Sequence, residues 1–299
     1  MTPFLRVLRG LFLIAVLLFV SCKDDDGVRR RDGGFFTDEI ESTDGTIIRY
    51  QGKGKGYPTL VLVHGWSCDR TIWRKQFDAL AEHYTVISLD LAGHGASGKE
   101  RKDYTMESFA ADVRVVAHRE HLNSMILVGH SMGGAVIAEA ARKLEGRVIG
   151  LLGVDTYHDI SQRMPEAFVD SLVGDFRKDY PKTCARFVRG MFRRGADGLV
   201  VEKVLSTMTK ADPAVAISAF RNYALYEHIP VIEEVALPVY CINADLWPTY
   251  MLPLRQLSPA AAMTLMPGLG HFPMLEAPEK FQENMITAVN YILSHFHRN

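Results

Sequence analysis

Gly129-His130-Ser131-Met132-Gly133 is the feature that most restricts how this chain can fold. It follows the short apolar run Met125–Val128 directly and leads into Ala135–Leu144, whose apolar spacing is helical. A G-x-S-x-G pentapeptide between a strand and a helix reads as a tight turn. Small residues flank the serine because the main chain is strained there and passes close to its neighbours. Such a turn lifts the serine hydroxyl above the sheet and aims the positive end of the following helix at it. With glycine and serine each near 7% of residues, the bare pattern arises by chance in about one chain of this length in ten. The strand before it and the helix after it make chance a poor explanation.

Around this turn the chain alternates two kinds of segment. Thr46–Tyr50, Thr59–Val63, Thr85–Leu89, Met125–Val128, Val148–Val154, Val239–Ile242 and Ala262–Met266 are short, apolar and rich in β-branched residues. Ile72–Glu82, Met106–His118, Ala135–Leu144 and Lys280–His295 are longer and carry helical spacing. Apolar strands alternating with helices specify an α/β fold with a mostly parallel central sheet flanked by helices. Between Tyr157 and Glu234 no strand pattern occurs. Helix-length stretches there are broken by Pro165, Pro181, Gly195 and Pro213, which reads as a helical cap inserted between two strands. Arg177, Lys178, Lys182, Arg186, Arg189, Arg193 and Arg194 make part of the cap basic, as a solvated face would be.

Four motifs in order resemble the lid-bearing α/β-hydrolase superfamily over nearly all of Phe35–Phe296. They are His64-Gly65-Trp66, Asp90-Leu91-Ala92-Gly93-His94-Gly95-Ala96-Ser97, the serine turn, and Gly270-His271-Phe272. The resemblance implies a serine hydrolase cleaving a carboxylic ester, or a thioester or amide, through an acyl-serine intermediate. Ser131 would be the nucleophile and His271 its general base. The oxyanion would be held by the N–H groups of Trp66 and Met132. His64 and the Asp90–Ser97 turn are read as scaffold. The triad acid is expected at Asp245, after strand Val239–Ile242, with Asp155 at the end of Val148–Val154 as the alternative. The run Asn243-Ala244-Asp245 lacks the glycine usual before that acid. No metal or organic cofactor is implied, and a dehalogenase or epoxide hydrolase of this fold would carry aspartate in place of Ser131. Lactone opening, carbon–carbon bond hydrolysis and perhydrolysis on the same triad remain open, as does a ligand-binding homologue without catalysis.

The remaining features concern location. Arg6 and Arg9 precede the apolar run Leu11–Val20, which ends at Ser21-Cys22. Ten apolar residues are half of the roughly 20 that cross a bilayer, so residues 1–21 are read as a secretory signal. Phe19-Val20-Ser21-Cys22 resembles a lipobox with phenylalanine where leucine is usual, and Lys23-Asp24-Asp25-Asp26 resembles the acidic tag of surface lipoproteins from Bacteroidetes-like bacteria. The expectation is a lipoprotein anchored through Cys22 to a membrane, on the periplasmic face or the cell surface, most simply at the outer membrane. Residues 22–34 would be a flexible tether, 35–156 and 236–299 the two parts of the core, and 157–235 the cap. The chain has 34 basic and 35 acidic residues, a net charge of −1. Removing residues 1–21 takes away two arginines and leaves −3. That balance gives no electrostatic case for nucleic acid, and the expected partner is a small acyl substrate; no motif for a protein partner is read. Cys68, Cys184 and Cys241 form neither a disulfide framework nor a metal-ligand spacing.

Overall fold

The computed structural model describes residues 32–296. The expected signal at 1–21, the expected lipidation site Cys22 and most of the expected tether fall outside these residues. Among the described residues no helix is long and apolar enough to cross a membrane.

Eight strands form one sheet: β1 (Phe36–Glu41), β2 (Ile47–Lys53), β3 (Thr59–Val63), β4 (Thr85–Leu89), β5 (Met125–His130), β6 (Val148–Val154), β7 (Val239–Ala244) and β8 (Ala262–Met266). Their spatial order is β1-β2-β4-β3-β5-β6-β7-β8. The pairs β1/β2 and β2/β4 are antiparallel and all the others are parallel. The mostly parallel α/β architecture is therefore as the sequence pattern specifies. The strands β5, β6 and β7 are buried at every position, because helices cover both faces of the sheet. β1 was not foreseen. Its sequence Phe-Thr-Asp-Glu-Ile-Glu alternates half-buried with exposed residues, the pattern of an edge strand with one solvated face.

The flanking helices of the core are α1 (Arg74–Ala81), α2 (Met106–Arg119) and α3 (Met132–Lys143). α3 starts at Met132, three residues before the helix expected from its apolar spacing, because Gly133 and Gly134 are helical here. Both are forced to be small. A Cβ on Gly133 would fall 2.8 Å from the carbonyl oxygens of Val63 and His64, and one on Gly134 would fall 2.5 Å from Thr156 Oγ1.

Five helices fill the chain between β6 and β7: α4 (Glu166–Lys178), α5 (Tyr180–Arg189), α6 (Gly198–Met208), α7 (Pro213–Ala224) and α8 (Ile229–Val235). Aspartates cap three of them, Asp179 for α5, Asp197 for α6 and Asp212 for α7, each accepting an N–H of the first turn. We refer to this segment as the cap. Its basic side chains are largely partnered: Arg186 and Lys178 with Asp175, and Arg189 with Glu202. The chain closes with α9 (Met251–Leu257), also not foreseen, the single turn α10 (Pro273–Glu276) and α11 (Pro278–Phe296).

The strand order reverses between β3 and β5, and the parallel strands all end on one edge of the sheet. Loops from several strands converge there, the place where open α/β sheets bind ligands. His64-Gly65-Trp66 leaves β3, Asp90 leaves β4, Ser131 leaves β5, Asp155 leaves β6, Asp245 leaves β7 and the His271 loop leaves β8.

Candidate active site

Ser131 sits on a turn with φ 53° and ψ −119°, a conformation that costs an L-residue energy and must be imposed by its surroundings. Here the surroundings impose it. Ser131 N–H donates to Val154 O at 3.0 Å and Gly134 N–H donates to Ser131 O at 2.8 Å. A Cβ on Gly129 would lie 2.3 Å from Gly133 O, so the turn closes only with glycine at that position. Ser131 remains partly exposed in an otherwise buried stretch.

The loop after β3 runs beside the serine. A Cβ on Gly65 would fall 3.1 Å from Ser131 Cβ and 2.8 Å from His130 Nδ1, so the main chain entering Trp66 passes directly against the turn. His64 braces this loop: its Nδ1–H donates to Gly65 O at 2.8 Å and its Nε2 accepts from Leu91 N–H at 3.1 Å. Burial pushes the His64 imidazole down to about 4, which keeps it neutral. Asp90 is occupied by the Arg70 guanidinium and by the N–H groups of Arg70 and Ala96. Both residues are scaffold, as read from the sequence. Met132 is the first helical residue of α3, and its N–H, like those of the first turn generally, has no acceptor within the helix.

His271 lies among Phe272, His130 and Trp247, with ring centroids at 5.3, 4.7 and 5.1 Å. Its Nδ1–H donates to Asp155 Oδ2 at 2.5 Å, with both side chains buried. The other carboxylate oxygen of Asp155 accepts from Ala244 N–H at 2.7 Å. Burial by itself would raise the carboxyl, but His158 and His271 outweigh it and hold Asp155 well below the usual carboxylate range. Asp155 is thus an anion locked onto His271.

The expectation that placed Asp245 against His271 is corrected by this geometry. Asp245 leaves the neighbouring strand, and its Oδ1 accepts instead from Gly268 N–H at 2.8 Å and from Arg193 Nη2 at 2.7 Å. Its carboxyl is one-third exposed and engaged by the cap. The alternative weighed from the sequence, Asp155, is the residue that the structure brings to the histidine.

Two residues near the site were not singled out from the sequence. His158, three positions after Asp155, places Nε2 3.7 Å from Asp155 Oδ2. Asn243 Nδ2 donates to Thr249 Oγ1 at 3.1 Å, and the same hydroxyl is hydrogen-bonded to His158 Nδ1 at 2.9 Å. Tyr223 of α7 reaches Ser131 and Thr156 from the cap, and burial raises its phenol. The position of His158 three residues after Asp155 is the signal the sequence offers. Nothing in the sequence marks Tyr223.

Cys68, Cys184 and Cys241 are buried free thiols, and burial pushes Cys184 up to about 11 and Cys241 up to about 12. Among the described residues no group of three or more His, Cys, Asp or Glu is arranged to hold a metal ion.

The family model described as "Alpha/beta hydrolase family" matches residues 60–283. A pimeloyl-[acyl-carrier protein] methyl ester esterase of Edwardsiella ictaluri is 27% identical over 76% of this chain and 92% of its own. A dihydrolipoyllysine-residue acetyltransferase component of an acetoin cleaving system from Cupriavidus necator is 35% identical, but over 38% of this chain and only 30% of that protein's length. Among solved structures, a thermophilic esterase from Thermogutta terrifontis superposes with a TM-score of 0.76 at 24% identity, covering 86% of this chain and 99% of its own.

Proposed function

The chain belongs to the α/β hydrolase family, and from that premise we propose that it is a serine hydrolase cleaving a carboxylic ester, thioester or amide through an acyl-serine intermediate. Ser131 is the nucleophile, His271 the general base and Asp155 the acid. The observation that carries this reading is the 2.5 Å hydrogen bond from His271 Nδ1 to Asp155 Oδ2, on the edge of the sheet where the strained turn holds Ser131. The similarity to the methyl ester esterase supports the same reaction class.

With Nδ1–H committed to Asp155, the free lone pair of His271 is on Nε2, the tautomer a base for Ser131 requires. Ser131 Oγ attacks the acyl carbon as its proton passes to Nε2, and the carbonyl electron pair moves onto oxygen. That oxyanion is met by the N–H groups of Trp66 and Met132, each such donor being typically worth about 10²–10³ in kcat. Collapse expels the alcohol, thiol or amine, which takes the proton from His271. Water then attacks the acyl-serine, again losing its proton to Nε2, and the second collapse returns the proton to Ser131 and releases the acid. Asp155 remains ionised throughout and stabilises the imidazolium that forms twice per turnover.

Labelling with a fluorophosphonate probe, followed by peptide mass analysis, tests the proposal. An adduct on Ser131 that is absent in Ser131→Ala and strongly slowed in His271→Ala is the expected result. A folded protein that takes no adduct and leaves short p-nitrophenyl esters intact would reject it. On the lipobox-like sequence alone we also propose that the enzyme is held at a membrane through lipid on Cys22.

A further inference from the structure

The cap and the histidine loop share one bonding network, centred on Arg193. The loop Pro267–Phe272 contains Gly268, at φ +81°, and Gly270, so its main chain is intrinsically loose. Yet its polar groups are tied from four directions. Asp245 Oδ1 accepts from Gly268 N–H at 2.8 Å, and the Glu276 carboxylate accepts from the N–H groups of Gly270 and Phe272 at 3.0 and 3.1 Å. His130 Nε2–H donates to His271 O at 2.8 Å. The remaining ties come from the cap, just beyond α5. His271 N–H donates to Met191 O at 2.8 Å, Phe192 stacks on Phe272 at 5.3 Å, and Arg193 Nε donates to Leu269 O at 3.1 Å.

Arg193 does more than touch the loop. Its Nη2 also donates to Asp245 O at 2.6 Å and to Asp245 Oδ1 at 2.7 Å, the same oxygen that holds Gly268. One guanidinium thus bridges the end of β7 and the loop after β8, and its planar fork matches those acceptors in a way an ammonium cannot. The contact is close enough to select glycine: a Cβ on Gly270 would fall 2.6 Å from Met191 O and 3.0 Å from Phe192 Cα.

We propose that Arg193 is a positioning residue, through which the cap holds the His271 loop in register with Asp155. The proposal rests on the serine hydrolase reading for its effect on rate, but not for its effect on the His271–Asp155 pair. It gives Asp245 a role at the end of β7: the anchor for Arg193 rather than a partner of the imidazole. Docking of the cap at residues 191–193 and assembly of the Asp155–His271 pair are then one event.

The test uses the full chain carrying Arg193→Ala, Arg193→Lys and, as a control from the same basic face, Arg189→Ala. Three quantities are read: the rate of Ser131 labelling by the fluorophosphonate, the far-downfield proton NMR signal of His271 Nδ1–H, and the melting temperature. Arg193 and Asp245 are both about one-third exposed, 38% and 34%, so the fold should survive their loss. Arg193→Ala should label about tenfold more slowly or worse, since small misplacements of a catalytic group are costly, and its downfield signal should shift or broaden. Guanidinium ion added to Arg193→Ala should recover part of the rate. Arg193→Lys should recover less than half of it, and Arg189→Ala should match the wild type. An Arg193→Ala protein with unchanged labelling and an unchanged downfield signal overturns the proposal, as does a loss that merely follows melting and ignores guanidinium. A wild type that does not label at all overturns the hydrolase reading instead, and the NMR signal then decides the positioning role alone.

Discussion

Asp155 Oδ2 accepts the Nδ1 proton of His271 at 2.5 Å although 116 positions of sequence separate the two residues. The sheet order β6-β7-β8 explains how they meet. Asp155 follows β6 and His271 follows β8, so the carboxylate reaches across the end of β7. There Ala244 N–H takes its other oxygen at 2.7 Å. The positive φ of Asp155, 43°, belongs to a conformation that aspartate tolerates better than most residues. The strand between them carries its own carboxylate, Asp245, which Arg193 turns to a different use.

Gly65 sets the distance between the loop after β3 and the Ser131 turn. Gly65→Ala introduces a methyl 3.1 Å from Ser131 Cβ and 2.8 Å from His130 Nδ1, tighter than packed atoms allow. Displacing the Trp66 N–H should cost about 10²–10³ in kcat. Steady-state kinetics on p-nitrophenyl acetate check this, and a Gly65→Ala enzyme with wild-type kcat would show that the loop does not contribute to the oxyanion site.

Acid should unfold this protein earlier than its net charge suggests. Burial holds His130 and His94 down to about 3, and His64 and His228 down to about 4. All four are therefore neutral in the folded state, while their unfolded counterparts protonate near pH 6.5. A folded value below the unfolded one means stability that is present above pH 6.5 and lost as pH falls towards 4. Each histidine steepens the loss by about 1.4 kcal/mol per pH unit. Thermal melts from pH 7.5 to 4.5 should show a melting temperature level above pH 7 and falling steeply below 6. A flat profile would contradict the neutral-histidine assignment.

Membrane attachment has a separate test. Cys22→Ala, or globomycin treatment of the producing cell, should leave an unprocessed or mislocalised chain and move the enzyme out of the lipid-anchored fraction. Unchanged processing in both cases would remove the lipobox reading without touching the chemistry at Ser131.

Much of this site was legible in the sequence because its parts are local. The serine turn, the His64-Gly65-Trp66 loop and the Gly270-His271-Phe272 loop each combine a strand end with residues whose small size or fixed conformation the turn demands. The strands Thr59–Val63, Thr85–Leu89, Val148–Val154 and Ala262–Met266 occur with the bounds their apolar runs suggest. The carboxylate partner of His271 is not legible in the same way. Asp155 and Asp245 each directly follow a buried parallel strand, and what separates them is a long-range contact: Arg193 claims Asp245 from the cap. Sequence spacing carries no record of that pairing, because the basic run containing Arg193 looks like an ordinary solvated helix face. β1 and α9 were missed for a related reason. β1 is a half-solvated edge whose acidic residues dilute its apolar pattern, and α9 is seven residues interrupted by Pro253.

In the proposed mechanism Asp155, through His271, activates Ser131. Its most direct test is kcat/KM for p-nitrophenyl acetate in Asp155→Asn and Asp245→Asn, measured beside the wild type at pH 7.5. Asp155→Asn should lose about 10²–10⁴ in kcat/KM, since the amide no longer holds the required tautomer of His271. Asp245→Asn, whose contact with His271 is indirect, should lose far less. An Asp155→Asn enzyme with near wild-type activity, beside an inactive Asp245→Asn, would contradict the account and return the acid's role to the end of β7.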